Sequence, residues 1–183
     1  MEKGDLIEFG SYDWYVLDVQ SDKALLLSQK IIEKRMYNDN EKEEITWKNC
    51  TLRKYLNKEF YESFNVSDKE QILEVTIENS GNSQCNVGGC GETKDRIFTL
   101  SIEEVKSYLE GYKFRKAFDT TGSANMWWLR SPGRDKLHAA IFRGYADGDL
   151  AYHGNKVNRK EGGVRPALWI KIPTIIETGK VKQ

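Results

Sequence analysis

The hydrophobic pattern of this chain changes its period twice. Residues 5–29 consist of short β-branched, aliphatic and aromatic runs separated by turn residues, which is typical of an antiparallel meander. Residues 45–73 instead place apolar side chains three and four positions apart, and residues 126–172 return to short strand-like runs with turns between them. An order of strands, helices and strands is compatible with an α+β architecture.

The middle of the chain predicts two helical regions. The apolar side chains predicted to share one helix face in residues 45–73 are Leu52, Tyr55, Leu56, Phe60 and Phe64. Two Ser-x-x-Glu sequences, Ser67 to Glu70 and Ser101 to Glu104, fit the capping box that satisfies free backbone donors at a helix start. The second box predicts a helix that runs to about Glu110.

Between these helical regions, residues 79–96 form a segment rich in Gly, Asn and Ser. It is too polar to bury and longer than most connections, so we expect a functional or mobile loop. There is no internal repeat and no second compositional regime, which predicts a single domain over residues 1–173 with a tail at 174–183.

Composition excludes several classes of protein. Of 183 residues, 28 are Lys or Arg and 28 are Asp or Glu, so the formal net charge is zero, which argues against nonspecific nucleic-acid binding. No stretch approaches the roughly 20 apolar residues of a membrane-spanning helix. The first residues are charged and form no apolar signal-peptide core, so we expect a cytoplasmic protein, with a trimmed exported or phage-borne form left open.

Three cysteines, Cys50, Cys85 and Cys90, are too few for a disulfide scaffold and favour a reducing compartment. Cys85 and Cys90 bracket a Gly-rich stretch, where they could pair or share a metal. Zinc requires about four ligands, and the only histidines are His138 and His153. We therefore expect two ordinary loop cysteines, no metal and no cofactor.

Two sequence blocks carry a family resemblance. Residues 127–133 read WWLRSPG and residues 163–170 read GVRPALWI, and the chain resembles an uncharacterised bacterial domain family that ends in these blocks. Supporting matches upstream are Phe9-Gly10 with Trp14, Thr46-Trp47 with Leu52-Arg53 and Leu56-Asn57, and Asp95-Arg96-Ile97-Phe98 with Leu100-Ser101. Cys50 stands where relatives tend to carry serine.

That family resembles the C-type-lectin-like fold, which includes formylglycine-generating-enzyme-like domains and the variable proteins of diversity-generating retroelements. The resemblance implies an α+β domain in which two or three helices pack on small twisted antiparallel sheets. It also implies that the N-terminal and C-terminal strands are adjacent.

The residues to which we assign structural roles are Trp127, Trp128, Arg130, Arg165 and Trp169. Both arginines could form an anion site. We favour the alternative, in which they bind loop carbonyls or an acid such as Asp95 while stacking on Trp128 or Trp169. We also expect Trp127 and Trp169 to be buried on neighbouring strands of one sheet.

An enzymatic interpretation finds little support in the sequence. Formylglycine-generating enzymes use a cysteine pair that follows the tryptophan strand, whereas Cys85 and Cys90 precede it. His138 and His153 could act as acid and base, but no nucleophile with a partner acid stands out, so we assign no catalytic residue. Asp147-Gly148-Asp149 could suggest calcium, but a calcium loop supplies about six or more oxygen ligands, and a hairpin turn explains these residues without a metal.

Residues 143–159 combine Tyr, Asn, Asp, His and Arg between two strand-like runs, a mixture found in recognition loops. The candidate ligand-binding residues are Arg143, Tyr145, Asp147, Asp149, Tyr152, His153, Asn155, Asn158 and Arg159. The leading prediction is a non-enzymatic module that recognises a protein or glycan ligand through this hairpin, flanked by buried Ile141 and Val164. An ordinary solvated hairpin, an oxidative enzyme and a subunit of a phage or defence assembly are the alternatives.

Overall fold

The computed structural model describes residues 1–40, 44–109, 114–143 and 149–172, and in these ranges the chain has an α+β architecture. The strands are β1 (Leu6–Phe9), β2 (Tyr12–Val19), β3 (Lys23–Ser28), β4 (Glu33–Lys34), β5 (Val75–Asn79), β6 (Gly91–Asp95), β7 (Ile97–Phe98), β8 (Trp127–Pro132), β9 (His138–Phe142), β10 (Leu150–Lys156), β11 (Gly163–Val164) and β12 (Ala167–Lys171). The helices are α1 (Thr51–Tyr55), α2 (Val66–Gln71) and α3 (Ile102–Tyr108), and a π-helical segment, Leu56–Phe60, continues α1.

The first sheet brings the two ends of the domain together. Its strand order is β1-β2-β3-β12-β7, and every neighbouring pair is antiparallel. The apolar run of β3 is fully buried at its centre, and Leu26 pairs there with Leu168 of β12. The expectation that N-terminal and C-terminal strands are adjacent is therefore confirmed.

The second sheet has the order β10-β9-β8-β11-β4, with one parallel pair, β11 on β8. Trp127 lies in this sheet, whereas Trp169 lies in the first one, so the prediction that they occupy neighbouring strands of one sheet is wrong. The predicted burial is confirmed for Trp127 and wrong for Trp169, which is half-buried. The chain changes sheets at Arg165 and Pro166, where proline has no N–H to continue the ladder of β11.

The helical region is shorter and more broken than its periodicity suggests, because α1, the π-helical segment and α2 replace one long helix. Its apolar face is nevertheless as expected, with Leu52, Leu56, Phe60 and Phe64 buried and Tyr55 half-buried. Burial of this face against the sheets, more than propensity, stabilises such short helices.

The two predicted capping boxes have different outcomes. The box at Ser101 is present, because its hydroxyl accepts from the Glu104 amide while the Glu104 carboxylate accepts from the Ser101 amide. The box at Ser67 is wrong. Helix α2 begins two residues earlier, with Asn65 as its cap. Asn65 Oδ1 accepts from the Asp68 amide at 2.9 Å, and the Ser67 hydroxyl only donates to that same oxygen.

Residues 79–96 are also more ordered than their composition predicts. Strands β5 and β6 pair as a two-stranded antiparallel hairpin from Val75 opposite Asp95 to Asn79 opposite Gly91. Only residues 80–90 remain as a loop, and they close the hairpin. Among the helices that the structure describes, none is long and apolar enough to cross a membrane.

Candidate functional site: the face of loop 80–90 and strand β10

Arg130, on β8, is buried and paired with a carboxylate. It is 3% exposed, and its guanidinium forms an ion pair with both oxygens of Glu104, the Nη2 to Oε1 distance being 2.7 Å. It also donates to the Thr99 carbonyl at 2.9 Å and lies 5.4 Å from the Phe98 ring centre. The bond to Thr99 agrees with the expectation that Arg130 binds a loop carbonyl, but the expected partners Asp95 and Trp128 were wrong.

Arg165 is fully buried and is held by carbonyls instead. Nε donates to the Ser28 carbonyl at 2.9 Å, and Nη1 donates to the Phe114 carbonyl at 2.7 Å. Its guanidinium lies 5.0 Å from the Trp127 ring centre rather than over Trp169, and Nη2 has no hydrogen-bond partner. No carboxylate of the described ranges lies within ion-pair distance, and burial lowers the pKa of Arg165 to about 9.

Asp95, the acid expected beside these arginines, belongs to another network. Its carboxylate accepts from Arg53 Nε at 2.6 Å and from Trp47 Nε1 at 3.0 Å, and it is 1% exposed. Trp128 is likewise buried and donates its indole N–H to the Arg35 carbonyl at 2.8 Å. These contacts fasten helix α1 and strand β8 into the core.

Loop 80–90 is fixed against β10 by one buried side chain. Asn82 is 1% exposed, and its Nδ2 donates to the Tyr152 carbonyl at 2.8 Å and to the Pro132 carbonyl at 3.0 Å. Cys85 reinforces the contact, since its Sγ lies 3.6 Å from the same Tyr152 carbonyl. The loop and the C-terminal strand thus form one continuous surface.

The loop itself is tightly folded. Asn82 and Val87 exchange backbone hydrogen bonds of 2.8 and 3.1 Å, which draw the two halves of the loop together. A Cβ atom at Gly81 would lie 2.2 Å from the Val87 carbonyl oxygen, and one at Gly89 would lie 2.1 Å from the Asn79 oxygen. Glycine is required at both positions because backbone occupies the space of a side chain.

An open pocket of about 410 Å³ lies on this surface. The loop lines it together with Glu103 of α3, and the Glu103 carboxylate pairs with Lys106 at 2.9 Å. Lys106 Nζ in turn lies 5.6 Å from the Tyr152 ring centre. We call residues 80–90 with Glu103, Lys106, Tyr152 and His153 the loop–β10 face.

The predicted hairpin residues are only partly displayed. Arg143, Asp149, His153 and Arg159 are exposed, while Tyr152, Asn155 and Asn158 are half-buried. Tyr145 and Asp147 lie outside the described residues. The flanking Ile141 and Val164 are buried at 4% and 0%, as predicted. Asn155 serves the fold, because its Nδ2 donates to Met126 Sδ at 2.8 Å.

Asn82 and Glu103 are contributors to this face that sequence reasoning missed. The Gly-rich composition around Asn82 indicated a loop, and loops carry binding residues more often than their length suggests. Nothing in the sequence placed that loop against β10, since the contact joins residues 70 positions apart.

The cysteines and histidines lie apart from this pocket or have structural partners. Cys50 is buried at the start of α1, where burial raises its pKa to about 12, and Cys85 and Cys90 are free thiols. His138 Nδ1 lies 2.6 Å from Asp135 Oδ1, and the cavity it shares with Cys90 is about 10 Å³, room for one water. Within the described ranges, no three His, Cys, Asp or Glu side chains are grouped to hold a metal ion.

Comparison with known proteins identifies one family. Comparison with curated proteins gives no match, and comparison with solved structures gives none. The model of the family described as Domain of unknown function (DUF6273) matches residues 21–172, which include both sheets' central strands and the whole loop–β10 face. The chain therefore belongs to the DUF6273 family.

Proposed function

We propose that this domain is a non-enzymatic ligand-binding module of C-type-lectin-like fold that recognises a protein or glycan ligand through the loop–β10 face. The observation that carries the proposal is the anchoring of loop 80–90 on β10 by buried Asn82. The adjacency of N-terminal and C-terminal strands in one sheet supports the lectin-like part.

Anchoring matters because ordering a loop costs free energy at the moment of binding. Loop 80–90 is already held by the buried Asn82 side chain and by backbone hydrogen bonds between Asn82 and Val87, so ordering it on binding costs less free energy. The pocket is open, so a ligand can reach it without unfolding the hairpin. These features favour a recognition surface over an ordinary solvated hairpin.

The chemistry of the face suits a polar ligand with an apolar side. Ser80, Ser83 and Asn86 line the pocket with hydroxyl and amide groups, and Glu103 adds a carboxylate. Next to it, the half-buried Tyr152 ring offers contact area with few rotatable bonds. A small number of convergent polar groups beside an aromatic surface is typical of ligand sites.

The test removes the side chains that project from β10. Purified Tyr152→Ser/His153→Ser protein is compared with wild type on a glycan array and in a pull-down from lysate of the source cell, with matched thermal melts. We expect capture to weaken by about 2 kcal/mol, roughly 30-fold, if either residue is a hot spot. Lys58→Ser/Tyr61→Ser, on the helical side, is the matched control and should leave capture unchanged.

A second variant tests the anchor. Asn82→Ala removes the hydrogen bond to Tyr152 of β10 and the one to Pro132 of β8, and it should weaken the same capture while the domain stays folded at room temperature. Equal capture by wild type and both variants, in proteins of equal melting temperature, would move the binding surface elsewhere.

A further inference from the structure

Strand β5 has a free edge. It pairs with β6 alone in a two-stranded sheet, and no other strand of the described ranges pairs with its outer side. A strand edge of this kind presents unpaired N–H and C=O groups to which another extended chain can bond. The free edge is the side of β5 that faces away from strand β6.

The free edge borders a groove of about 380 Å³. Residues 75–78 of β5 form one wall, and the rest of the lining is Trp169 of β12 with Lys23, Ser101 and the paired Glu104 and Arg130. The Glu78 carbonyl is turned toward the groove, where it accepts from Arg130 Nη2 at 3.3 Å. Because peptide groups alternate along a strand, Thr76 presents its N–H and C=O on the same side.

Trp169 supplies a side-chain anchor in this groove. It is half-buried, and Lys23 Nζ lies 4.8 Å from its ring centre. Tryptophan is enriched among the residues that dominate binding energies at interfaces. An extended ligand bonded to β5 would therefore have an aromatic surface within the same groove.

The charge of the hairpin indicates what the ligand carries. Glu78 stands directly opposite Glu92 across β5 and β6, and both are exposed. Like charges directly opposite on neighbouring strands are destabilising. Lys94 lies on the same exposed face, opposite Thr76, but neither carboxylate forms an ion pair with it or with another described residue. A Lys or Arg side chain placed beside Glu78 and Glu92 would therefore relieve the repulsion.

We propose that β5 is a docking edge for an extended basic peptide segment of a partner protein. The segment adds as a third strand to the β5–β6 hairpin, bonds to the Thr76 backbone and to the Glu78 N–H, packs on Trp169 and places a basic side chain near the Glu78 carboxylate. At about 3.4 Å per residue, five residues of peptide match the length of β5. This site is separate from the loop–β10 face and does not depend on it.

The test uses the full chain labelled with ¹⁵N and the peptide Ac-Lys-Val-Lys-Val-Lys-NH₂. We expect saturable chemical-shift changes at the Thr76 and Glu78 amides and the Trp169 indole, with slower hydrogen exchange at both amides. The acidic peptide Ac-Glu-Val-Glu-Val-Glu-NH₂ should bind at least tenfold more weakly. A basic peptide with alternate N-methylated residues should lose binding, because it cannot form the ladder.

Two variants separate this edge from general charge attraction. Glu78→Lys should weaken the basic peptide at least tenfold, whereas Glu70→Lys, an exposed acid on α2, should leave its affinity unchanged. Thermal melts establish that both variants are folded. No saturable shift at millimolar peptide, shifts confined to other strands, or equal affinity for Glu78→Lys and wild type would each overturn the proposal.

Discussion

The WWLRSPG block and the GVRPALWI block each contain tryptophan, arginine and proline. They differ in how the buried arginine cation is stabilised. In residues 127–132, Arg130 pairs with the Glu104 carboxylate, which α3 presents to it. In residues 163–171, Arg165 is more deeply buried yet is held by two carbonyls. Similar local sequences thus receive different electrostatic partners, because the partner comes from whichever distant element packs there.

The tryptophans of the two blocks differ in the same way. Trp127 is fully buried, and its ring stacks on Phe142 at 5.3 Å while it covers the Arg165 guanidinium. Trp169 lies on the outer face of the first sheet, half-buried beneath Lys23. A tryptophan in a strand-like run is therefore predicted to lie in a strand. Its burial depends on which face of which sheet it occupies.

The largest expected effect separates these tryptophans. Trp127→Ala should lower the free energy of unfolding by about 4 kcal/mol, because it leaves a cavity in a closed core and uncovers a buried guanidinium. Trp169→Ala should cost about 1–2 kcal/mol, since much of that ring already contacts water. Urea unfolding of both variants measures the difference. Equal losses would mean that Trp169 belongs to the core as Trp127 does.

The second prediction concerns a variant in which Arg130, like Arg165, has no carboxylate partner. Glu104→Gln removes the only carboxylate paired with Arg130 in the described ranges and should cost about 3 kcal/mol, because a buried charge is left without its partner. Glu103→Gln is the matched control on the same helix, and loss of its exposed pair with Lys106 should cost at most about 0.5 kcal/mol. Similar melting temperatures for the two variants would contradict the assigned role of Glu104.

Glu104 has one role that could be predicted from the sequence and one that could not. The capping box at Ser101 was predictable, because it depends on residues three positions apart whose backbone geometry is fixed by the helix start. That Glu104 also neutralises Arg130 was not predictable, since the contact requires α3 to pack on β8, 26 residues later. The meander of β1 to β3 was predictable for a similar reason, as it rests on local alternation and turns.

The candidate site was predictable in part. Residue types between β9 and β11 pointed to a polar surface, and Tyr152 and His153 do lie there. Strands β5 and β6 were missed because only Val75 and Ile77 are apolar in β5, a pattern too short to distinguish from a loop. Asn82 was missed because a buried polar side chain is stabilised by carbonyls that come from distant strands.

The third prediction concerns the arginine without a carboxylate. Arg165→Met keeps most of the side-chain volume but removes the hydrogen bonds to the Ser28 and Phe114 carbonyls. We expect a loss of about 2 kcal/mol, since two buried hydrogen bonds are lost while removal of a buried charge returns some of the free energy. Urea unfolding at pH 7.5 measures this loss. A loss greater than that of Glu104→Gln would show that Arg165 has a charged partner after all.

The smallest effect is a change with pH in the stability difference between wild type and Arg165→Met. Because burial lowers its pKa to about 9, the folded state releases this proton above pH 9, while the unfolded chain keeps it until about pH 12.5. The unfolded state then binds more protons, so the contribution of Arg165 to stability rises with pH in this window and is lost as pH falls through 9.

Wild type should therefore gain about 1 kcal/mol relative to Arg165→Met between pH 7.5 and pH 10. Burial also raises the pKa of Tyr37, which lowers stability above pH 10, but this loss is common to both proteins and cancels in the difference. Trp169→Ala is the control, because its missing ring does not titrate and its gap from wild type should stay constant. If the Arg165→Met gap also stays constant, the guanidinium keeps its proton through this range, and the charge of the neighbouring Tyr15, which raises the pKa of Arg165, outweighs the effect of burial.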